Sequence, residues 1–230
     1  MTHRIAELRE SGRLVSGARH EVAIPAGDVT VPGSLVLPVE PVGAVIFAHG
    51  SGSSRRSPRN HQVAAVLQEA GLATLLFDLL TEEEAGFRRN VFDVPFLAER
   101  LGAVTAWFER GSGCRAPICY FGASTGAAAA LWAAADNPRI GAIVSRGGRP
   151  DLAEPRLTDV LCPTLLIVGQ RDPDVLELNR IALARLDREA ELRIVEGASH
   201  LFEEPGALHE VAVLARDWFT HHLDGASDES

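Results

Sequence analysis

A serine with a glycine two residues to either side lies near the middle of the chain. The stretch "CYFGASTGAAAALW", residues 119–132, contains the pattern G-x-S-x-G, with Ser124 between Gly122 and Gly126. An apolar run precedes this serine and an alanine-rich run follows it, which predicts a strand, a sharp turn and a helix. In that setting the glycines let the backbone close, and the serine hydroxyl stands exposed as a nucleophile. A serine that only caps a helix would need no glycine on either side.

Two further residues have the types that a nucleophilic serine requires. It needs a histidine as base and a carboxylate that orients the histidine, in the chain order serine, acid, histidine. Asp172 follows the apolar run "TLLIVG" and His200 follows "LRIVEG", so both are expected at the carboxyl ends of late strands. Asp174 is the alternative acid. Taken singly, Asp172 also fits a turn or helix cap and His200 a surface loop, but their order along the chain favours a catalytic triad.

The glycine-rich loop at residues 49–54, "HGSGSS", is a candidate for the oxyanion hole. One donor should be the backbone N–H of Thr125, the residue after the nucleophile. The other should be the N–H of Ser51, with Gly52 as the alternative. A phosphate-binding loop is the rival interpretation, but no Lys-Ser or Lys-Thr pair follows the glycines; a flexible loop without function is the third. We expect His49 to brace the loop rather than to take part in chemistry.

The hydrophobic pattern predicts the elements that must position these residues. The segments "HEVAIP" and "VTVPGSLVLP" are typical of a β-hairpin. After them, short apolar runs alternate with amphipathic stretches of helical spacing. This alternation predicts an α/β fold with a mostly parallel sheet of about eight strands and helices on both faces. We expect a single domain over residues 1–230, with residues 1–18 and 224–230 peripheral or frayed, and a site at the carboxyl ends of the strands.

Composition excludes several classes of function. The chain of 230 residues has a formal net charge of −9, which argues against a nucleic-acid partner. It has no lysine, so all 22 residues of the Lys+Arg count are arginine. This excludes a Schiff-base lysine, a phosphate-binding lysine and a Ser-Lys dyad. The cysteines Cys114, Cys119 and Cys162 match no zinc-binding spacing and are expected to be buried free thiols. We therefore expect no metal and no cofactor.

The hydropathy pattern predicts a cytoplasmic protein. The N-terminal stretch "MTHRIAELRESGRLVSG" has scattered charges and lacks the apolar core of a signal peptide. No run approaches the ~20 apolar residues of a membrane span. We expect no membrane partner; the oligomeric state stays open at this stage.

Arginines are concentrated in the loops that should surround the site. Eight of the 22 lie there: Arg55, Arg56, Arg59, Arg88, Arg89, Arg146, Arg149 and Arg171. In an acidic chain they could form a positive rim for an anionic substrate, a carboxylate or phosphate ester. Arg146 and Arg149 in "SRGGRPD" are the substrate-binding candidates. Acidic residues share these loops, so pairing within the loops is the alternative; they are Glu82, Glu83, Glu84, Asp151 and Asp174.

Two other segments bear on the substrate. Phe87, Phe92 and Phe96 follow the fourth predicted strand and could line an acyl pocket, although packing in the core explains them equally well. Only "SRGGRPDLAEPRLTDVLC" separates the sixth predicted strand from the seventh. This leaves no room for a sizeable lid domain, so we expect an open site and a small or soluble substrate.

Together these stretches resemble the α/β-hydrolase superfamily, from about Glu21 to near Leu223. The segments "HGSGSSRRSPRN", "GLATLLFDLLTEEE", "FGASTGAAAA" and "SRGGRPDL" resemble a bacterial subgroup of its dienelactone hydrolase-like branch. Members of that subgroup are sometimes fused to a phosphoribosyltransferase domain, which these 230 residues do not contain. The resemblance implies the α/β-hydrolase fold and a triad of Ser124, Asp172 and His200. Dienelactone hydrolases proper carry cysteine as the nucleophile, so the serine argues against dienelactone itself as substrate.

The sequence therefore predicts a serine hydrolase of the carboxylesterase type. It would cleave an ester or related acyl bond of a small-molecule substrate, with a covalent acyl-enzyme intermediate on Ser124. Acyl transfer to an alcohol or thiol by the same residues is one alternative. A non-catalytic binding protein on the same scaffold is the other, because a fold alone does not determine function.

Overall fold

One eight-stranded sheet organises the chain. The structure, a computed structural model, describes residues 19–112, 114–186 and 189–224. The strands are β1 (Arg19–Ala26), β2 (Val29–Val36), β3 (Gly43–Ala48), β4 (Leu72–Phe77), β5 (Ile118–Ala123), β6 (Ile140–Arg146), β7 (Thr164–Gly169) and β8 (Ala190–Val195). Their order across the sheet is β1-β2-β4-β3-β5-β6-β7-β8.

The sheet is parallel except at one edge. β1 and β2 form the predicted hairpin, and β2 also pairs antiparallel with β4. All pairs from β4 through β3 to β8 are parallel. Parallel strands end at the same edge of a sheet, so the loops after β3, β5, β6, β7 and β8 meet on one side.

Helices cover both faces of the sheet, as expected. The α-helices of the described residues are α1 (Pro58–Glu69), α2 (Glu82–Ala85), α3 (Arg88–Val91), α4 (Val94–Gly111), α5 (Thr125–Ala135), α6 (Pro173–Leu183) and α7 (Ala207–Asp224). Buried residues of α1 and α7 pack with one face of the sheet, and those of α4, α5 and α6 pack with the other.

Burial of the central strands explains why they read as continuous apolar runs. Every residue of β3, β4, β5 and β7 is buried. Within β3, Val45 and Phe47 face α1 and α7, whereas Ala44, Ile46 and Ala48 face α4 and α5. Successive side chains of a strand point to opposite faces, so a strand covered on both sides must be apolar throughout.

The sequence analysis did not predict three short helical segments. α2 and α3 lie between β4 and α4, and a 3₁₀ segment, Pro150–Asp159, lies between β6 and β7. Four residues are too few to show a helical hydrophobic period, and a proline inside the 3₁₀ segment, Pro155, argues against a helix in the sequence. Asp224, which we grouped with the frayed tail, is the last residue of α7. The expectations for residues 1–18 and 225–230 lie outside the described residues.

None of the described helices combines the length and the apolar character that a membrane-spanning segment needs.

Candidate active site

Ser124 occupies a strained turn between β5 and α5. Its φ is +51° and its ψ is −121°, and its side chain makes no capping hydrogen bond to the helix. An L-residue in such a conformation costs about 1–3 kcal/mol, which is the pattern of a functional residue rather than of a helix cap. The flanking glycines are required, because a Cβ on Gly126 would lie 2.1 Å from the carbonyl oxygen of Ala48. A Cβ on Gly122 would lie 2.4 Å from the Cα of Ala127.

Neighbouring loops hold the Ser124 backbone from two sides. Its N–H donates to the carbonyl oxygen of Arg146 at 3.2 Å, and its own carbonyl oxygen accepts from the N–H of Arg149 at 3.2 Å. On the other side, a Cβ on Gly50 would lie 3.0 Å from the Cβ of Ser124. The loops after β3 and β6 therefore meet at the serine. The close approach of the loop after β3 explains why residue 50 is a glycine.

His200 and Asp172 come together at the same edge of the sheet. The Nδ1 atom of His200 lies 2.6 Å from Oδ2 of Asp172. Asp172 immediately precedes α6, but its side chain makes no capping hydrogen bond to that helix. Its side chain is 15% exposed and that of His200 is 39% exposed. Asp174 lies in the first turn of α6 and is exposed, so Asp172 is the aspartate that meets the histidine.

Several contacts fix the loop that carries His200. The N–H of Arg171 donates to the carbonyl oxygen of Ala198 at 2.9 Å, which ties this loop to the one that carries Asp172. Both carboxylate oxygens of Glu204 accept from the Ser199 N–H at 3.0 Å. Hydrogen bonds from the backbone of Ser199 lower the pKa of Glu204. Sequence reasoning missed this role, because nothing in the local pattern separates Glu204 from Glu203.

The β3–α1 loop lies against the start of α5, where the oxyanion hole was expected. The Ser51 N–H donates to Oγ1 of Thr125 at 3.0 Å. The Ser51 N–H can therefore donate to an oxyanion only when its hydrogen bond to the Thr125 hydroxyl is broken. The Thr125 N–H belongs to the first residue of α5, where backbone donors have no acceptor within the helix.

His49 braces this loop, in line with the sequence analysis. The Leu79 N–H donates to Nε2 of His49 at 3.0 Å. Nδ1 therefore carries the proton, and it lies 2.9 Å from the carbonyl oxygen of Gly50. Burial lowers the pKa of His49, which keeps the ring neutral and suited to this bridging role.

A cavity of about 330 Å³ opens beside the β3–α1 loop. Its walls combine polar groups of that loop with apolar side chains from the region of α2 and α3; they include Ser51, Arg56, Leu80, Ala85, Val91 and Thr125. None of the three candidate phenylalanines lines it. Phe87 and Phe92 are 52% and 46% exposed and lie against the guanidinium groups of neighbouring arginines. The short helices turn these rings outwards, and smaller aliphatic side chains form the wall instead.

Four of the eight loop arginines form ion pairs with acidic residues of these or neighbouring loops. Arg55 binds Asp78 at 2.8 Å and Arg59 contacts Glu203 at 3.2 Å. Arg149 makes two hydrogen bonds to Asp151, at 2.8 and 2.7 Å. Arg146 is different: it is 8% exposed, and its buried Nη1 atom has no hydrogen-bond partner.

Comparison with known proteins places this arrangement in a family. The sequence profile described as "Alpha/beta hydrolase domain" matches residues 41–210. The chain belongs to the α/β-hydrolase family. A crystal structure of dienelactone hydrolase from Anabaena variabilis is 52% identical to this α/β-hydrolase, with a TM-score of 0.86 over 89% of this chain and 98% of that one. The predicted dienelactone hydrolase-like resemblance and the predicted fold are thereby confirmed.

More distant structures share the fold of this α/β-hydrolase. A serine hydrolase homologue from Coxiella burnetii is 21% identical, with a TM-score of 0.73 over 90% of this chain and 99% of that one. Among curated proteins, "Putative phosphoribosyl transferase Rv0571c" of Mycobacterium tuberculosis is 59% identical over 208 residues. That match covers 89% of the α/β-hydrolase chain and 47% of the relative. The chain thus spans about half the length of the curated relatives it matches.

Proposed function

We propose that this α/β-hydrolase is a serine hydrolase that cleaves a carboxylic ester, or a related acyl bond, of a small substrate. Ser124 would be the nucleophile, His200 the general base and Asp172 the orienting acid. One observation carries the proposal. Ser124, whose backbone is strained and whose side chain makes no capping hydrogen bond, lies at the same sheet edge as His200, and Nδ1 of His200 is 2.6 Å from the carboxylate of Asp172. That is the set of groups that activates a serine hydroxyl.

The contact between His200 and Asp172 sets the direction of proton transfer. An ionised carboxylate only accepts hydrogen bonds, so Nδ1 of His200 carries the proton and Nε2 is left as the base. Nε2 takes the proton of the Ser124 hydroxyl as the serine oxygen attacks the acyl carbonyl. Asp172 then stabilises the imidazolium ion. The imidazolium returns its proton to the leaving alcohol, and water repeats the sequence to release the acid.

Backbone donors at the start of α5 and in the β3–α1 loop would hold the oxyanion. The N–H of Thr125 is one donor and that of Ser51 is the other. Ser51 becomes available when the Thr125 hydroxyl, its present acceptor at 3.0 Å, rotates away. Loss of one such donor typically costs about 2.7–4 kcal/mol of transition-state stabilisation. The positive end of the α5 dipole adds to the same effect.

The cavity supports a small substrate. Its volume of about 330 Å³ is near the lower end of the usual ~300–1,000 Å³ for small-molecule sites. The 3₁₀ segment does not extend over the cavity as a lid, because Ala153 and Leu157 anchor it in the core beside α5. We therefore expect short acyl or alcohol groups to be accepted without any closing movement.

We do not propose a phosphoribosyl transferase activity for this chain, although the curated relatives carry that name. This chain matches only 47% of their length, so their name cannot be assigned to the matched part. Acyl transfer would use the same residues as hydrolysis. Product analysis with an added alcohol or thiol acceptor separates the two reactions.

Intact-mass spectrometry after treatment with a small fluorophosphonate tests the proposal. We expect one covalent adduct on the wild-type chain and none on Ser124→Ala, because only an activated serine reacts. His200→Ala should also remain unlabelled, since the base is lost while the serine stays. An unlabelled wild-type chain would contradict the proposal and favour a non-catalytic binding protein. An adduct that persists in Ser124→Ala would contradict the assignment of Ser124 as the nucleophile.

A further inference from the structure

Arg146 brings a buried positive charge to the candidate active site without an acidic partner among the described residues. It is 8% exposed, and its Nη1 atom is buried without a hydrogen-bond acceptor. Arg100 is buried to a similar degree, but Glu84 binds it through two hydrogen bonds of 2.7 and 3.2 Å. A buried guanidinium without acceptors is unfavourable. The burial of the unpaired Arg146 therefore needs an explanation, whereas that of the paired Arg100 does not.

The charged group that acts on Arg146 is a second cation. Arg59, the second residue of α1, also has a buried Nε atom without a partner. Its Nη1 atom contacts Glu203 at 3.2 Å, so that carboxylate engages only one end of the guanidinium. Burial and the charge of Arg59 together lower the pKa of Arg146 to about 10. Guanidinium groups with unused donors match the oxygens of a carboxylate or phosphate.

The backbone of Arg146 lies directly beside the reacting groups. Arg146 is the last residue of β6, and its carbonyl oxygen accepts the Ser124 N–H at 3.2 Å. The next residue packs against the base, because a Cβ on Gly147 would lie 3.4 Å from Cε1 of His200. Val144, two residues earlier on β6, packs on the face covered by α1 and α7. Alternation along the strand therefore directs Arg146 to that face, where Arg59 lies in the first turn of α1.

We propose that Arg146 and Arg59 form a subsite that binds a carboxylate or phosphate group of the ester substrate beside Ser124. This inference rests on the proposed function and narrows its substrate class to esters that carry an anionic group. Arg149, the other arginine that the sequence suggested, is already engaged by Asp151 through two hydrogen bonds. Its donors are therefore less available than those of Arg146.

A pair of esters that differ only in charge provides the kinetic test. 4-Nitrophenyl hemisuccinate and 4-nitrophenyl butyrate release the same alcohol, and their acyl chains end in a carboxylate and a methyl group. We expect the wild type to prefer the hemisuccinate. Arg146→Met should lower kcat/KM for the hemisuccinate by about 10- to 100-fold, which is the usual effect of losing hydrogen bonds to a charged group. The fall in kcat/KM with butyrate should be smaller, so the ratio of the two kcat/KM values is the quantity that tests the subsite.

Arg156→Met is the matched control, because Arg156 pairs with Asp136 and Asp159, near the far end of α5. This variant should keep the preference for the hemisuccinate. Loss of the preference in Arg149→Met, with its retention in Arg146→Met, would overturn the assignment.

Thermal melting separates an anion site from a structural role and does not depend on turnover. Inorganic phosphate and succinate, added separately, show which anion binds. We expect at least one of them to raise the Tm of the wild type but not of Arg146→Met. Without anion, Arg146→Met should melt at the wild-type temperature or higher, because the substitution removes an unpaired buried charge. A lower Tm in Arg146→Met, with no effect of either anion on the wild type, would overturn the proposal.

The two proposals fail in different ways. If the fluorophosphonate labels Ser124 but the wild type hydrolyses both esters equally well, the anion subsite is wrong and the hydrolase proposal stands. If Ser124 stays unlabelled while phosphate or succinate stabilises the wild type and not Arg146→Met, the subsite stands and the hydrolase proposal is wrong.

Discussion

Ser124, His200 and Asp172 depend on different physical causes for their positions. Ser124 is held at φ +51° by backbone hydrogen bonds to the β6 loop and by glycines that permit close approach. His200 is held by its 2.6 Å contact with Asp172 and by a loop that Glu204 stabilises. The strain at the serine is thus compensated by packed backbone, whereas the histidine depends on side-chain contacts. We therefore expect substitutions around His200 to reduce activity more readily than stability.

Replacement of each candidate acid tests which aspartate orients the histidine. Asp172→Asn should reduce kcat by about 10⁴-fold, because an amide at that position favours the wrong tautomer of His200. Asp174→Asn should change kcat little, since Asp174 is exposed in the first turn of α6. Steady-state kinetics with 4-nitrophenyl butyrate provides the measurement. A large loss in Asp174→Asn and none in Asp172→Asn would contradict the geometry.

The short helix α2 shows how a local motif supports the cavity wall. Thr81 and Glu84 form a capping box, in which each side chain accepts a hydrogen bond from the backbone of the other. The carboxylate of Glu84 also binds Arg100 of α4. Burial acts to raise the pKa of Glu84, but hydrogen bonds from Arg100 and Thr81 outweigh it and lower the pKa. One glutamate thus links α2, which lines the cavity, to the core helix α4.

Glu84→Gln should lower the free energy of unfolding by about 1.5–3 kcal/mol, because it removes the charge-assisted hydrogen bonds of the buried Arg100. Glu83→Gln is the matched control on the exposed side of α2 and should stay within about 0.5 kcal/mol of the wild type. Urea denaturation at pH 7 measures both. A carboxylate with a lowered pKa stabilises the fold above its ordinary pKa and loses that effect as the pH falls through the lowered value. The difference between wild type and Glu84→Gln should therefore shrink on acidification; a constant difference would contradict the ion pair.

The whole molecule buries its sheet between two layers of helices. This burial leaves the cysteines with different accessibility. Cys119 on β5 is fully buried, Cys162 before β7 is nearly so, and Cys114 is half-buried. Burial raises the pKa of Cys162 to about 12 and that of Cys119 further. The thiolate, which is the reactive form, is therefore scarce in the folded protein.

Iodoacetamide at pH 8 should modify Cys114 slowly in the native protein and leave Cys119 and Cys162 unmodified. All three should react in denaturant, and the two buried thiols should become reactive at the same denaturant concentration if the sheet unfolds cooperatively. Peptide mass spectrometry along a urea series follows each site. Rapid native labelling of Cys119 would contradict the buried position of β5.

The order of the strands and of the five long helices could be predicted from the sequence alone, because a strand buried on both faces must be apolar and an amphipathic helix must repeat every 3.6 residues. The turn at Ser124 could be predicted too, because the G-x-S-x-G pattern lies between an apolar run and an alanine-rich run. Tertiary structure decided the partners: Asp172 rather than Asp174 at His200, and Thr125 Oγ1 at the Ser51 N–H. These contacts join residues 28 and 74 positions apart, and only the packing of distant loops brings them together. For the same reason, only the fold distinguished the paired Arg149 from the unpaired Arg146.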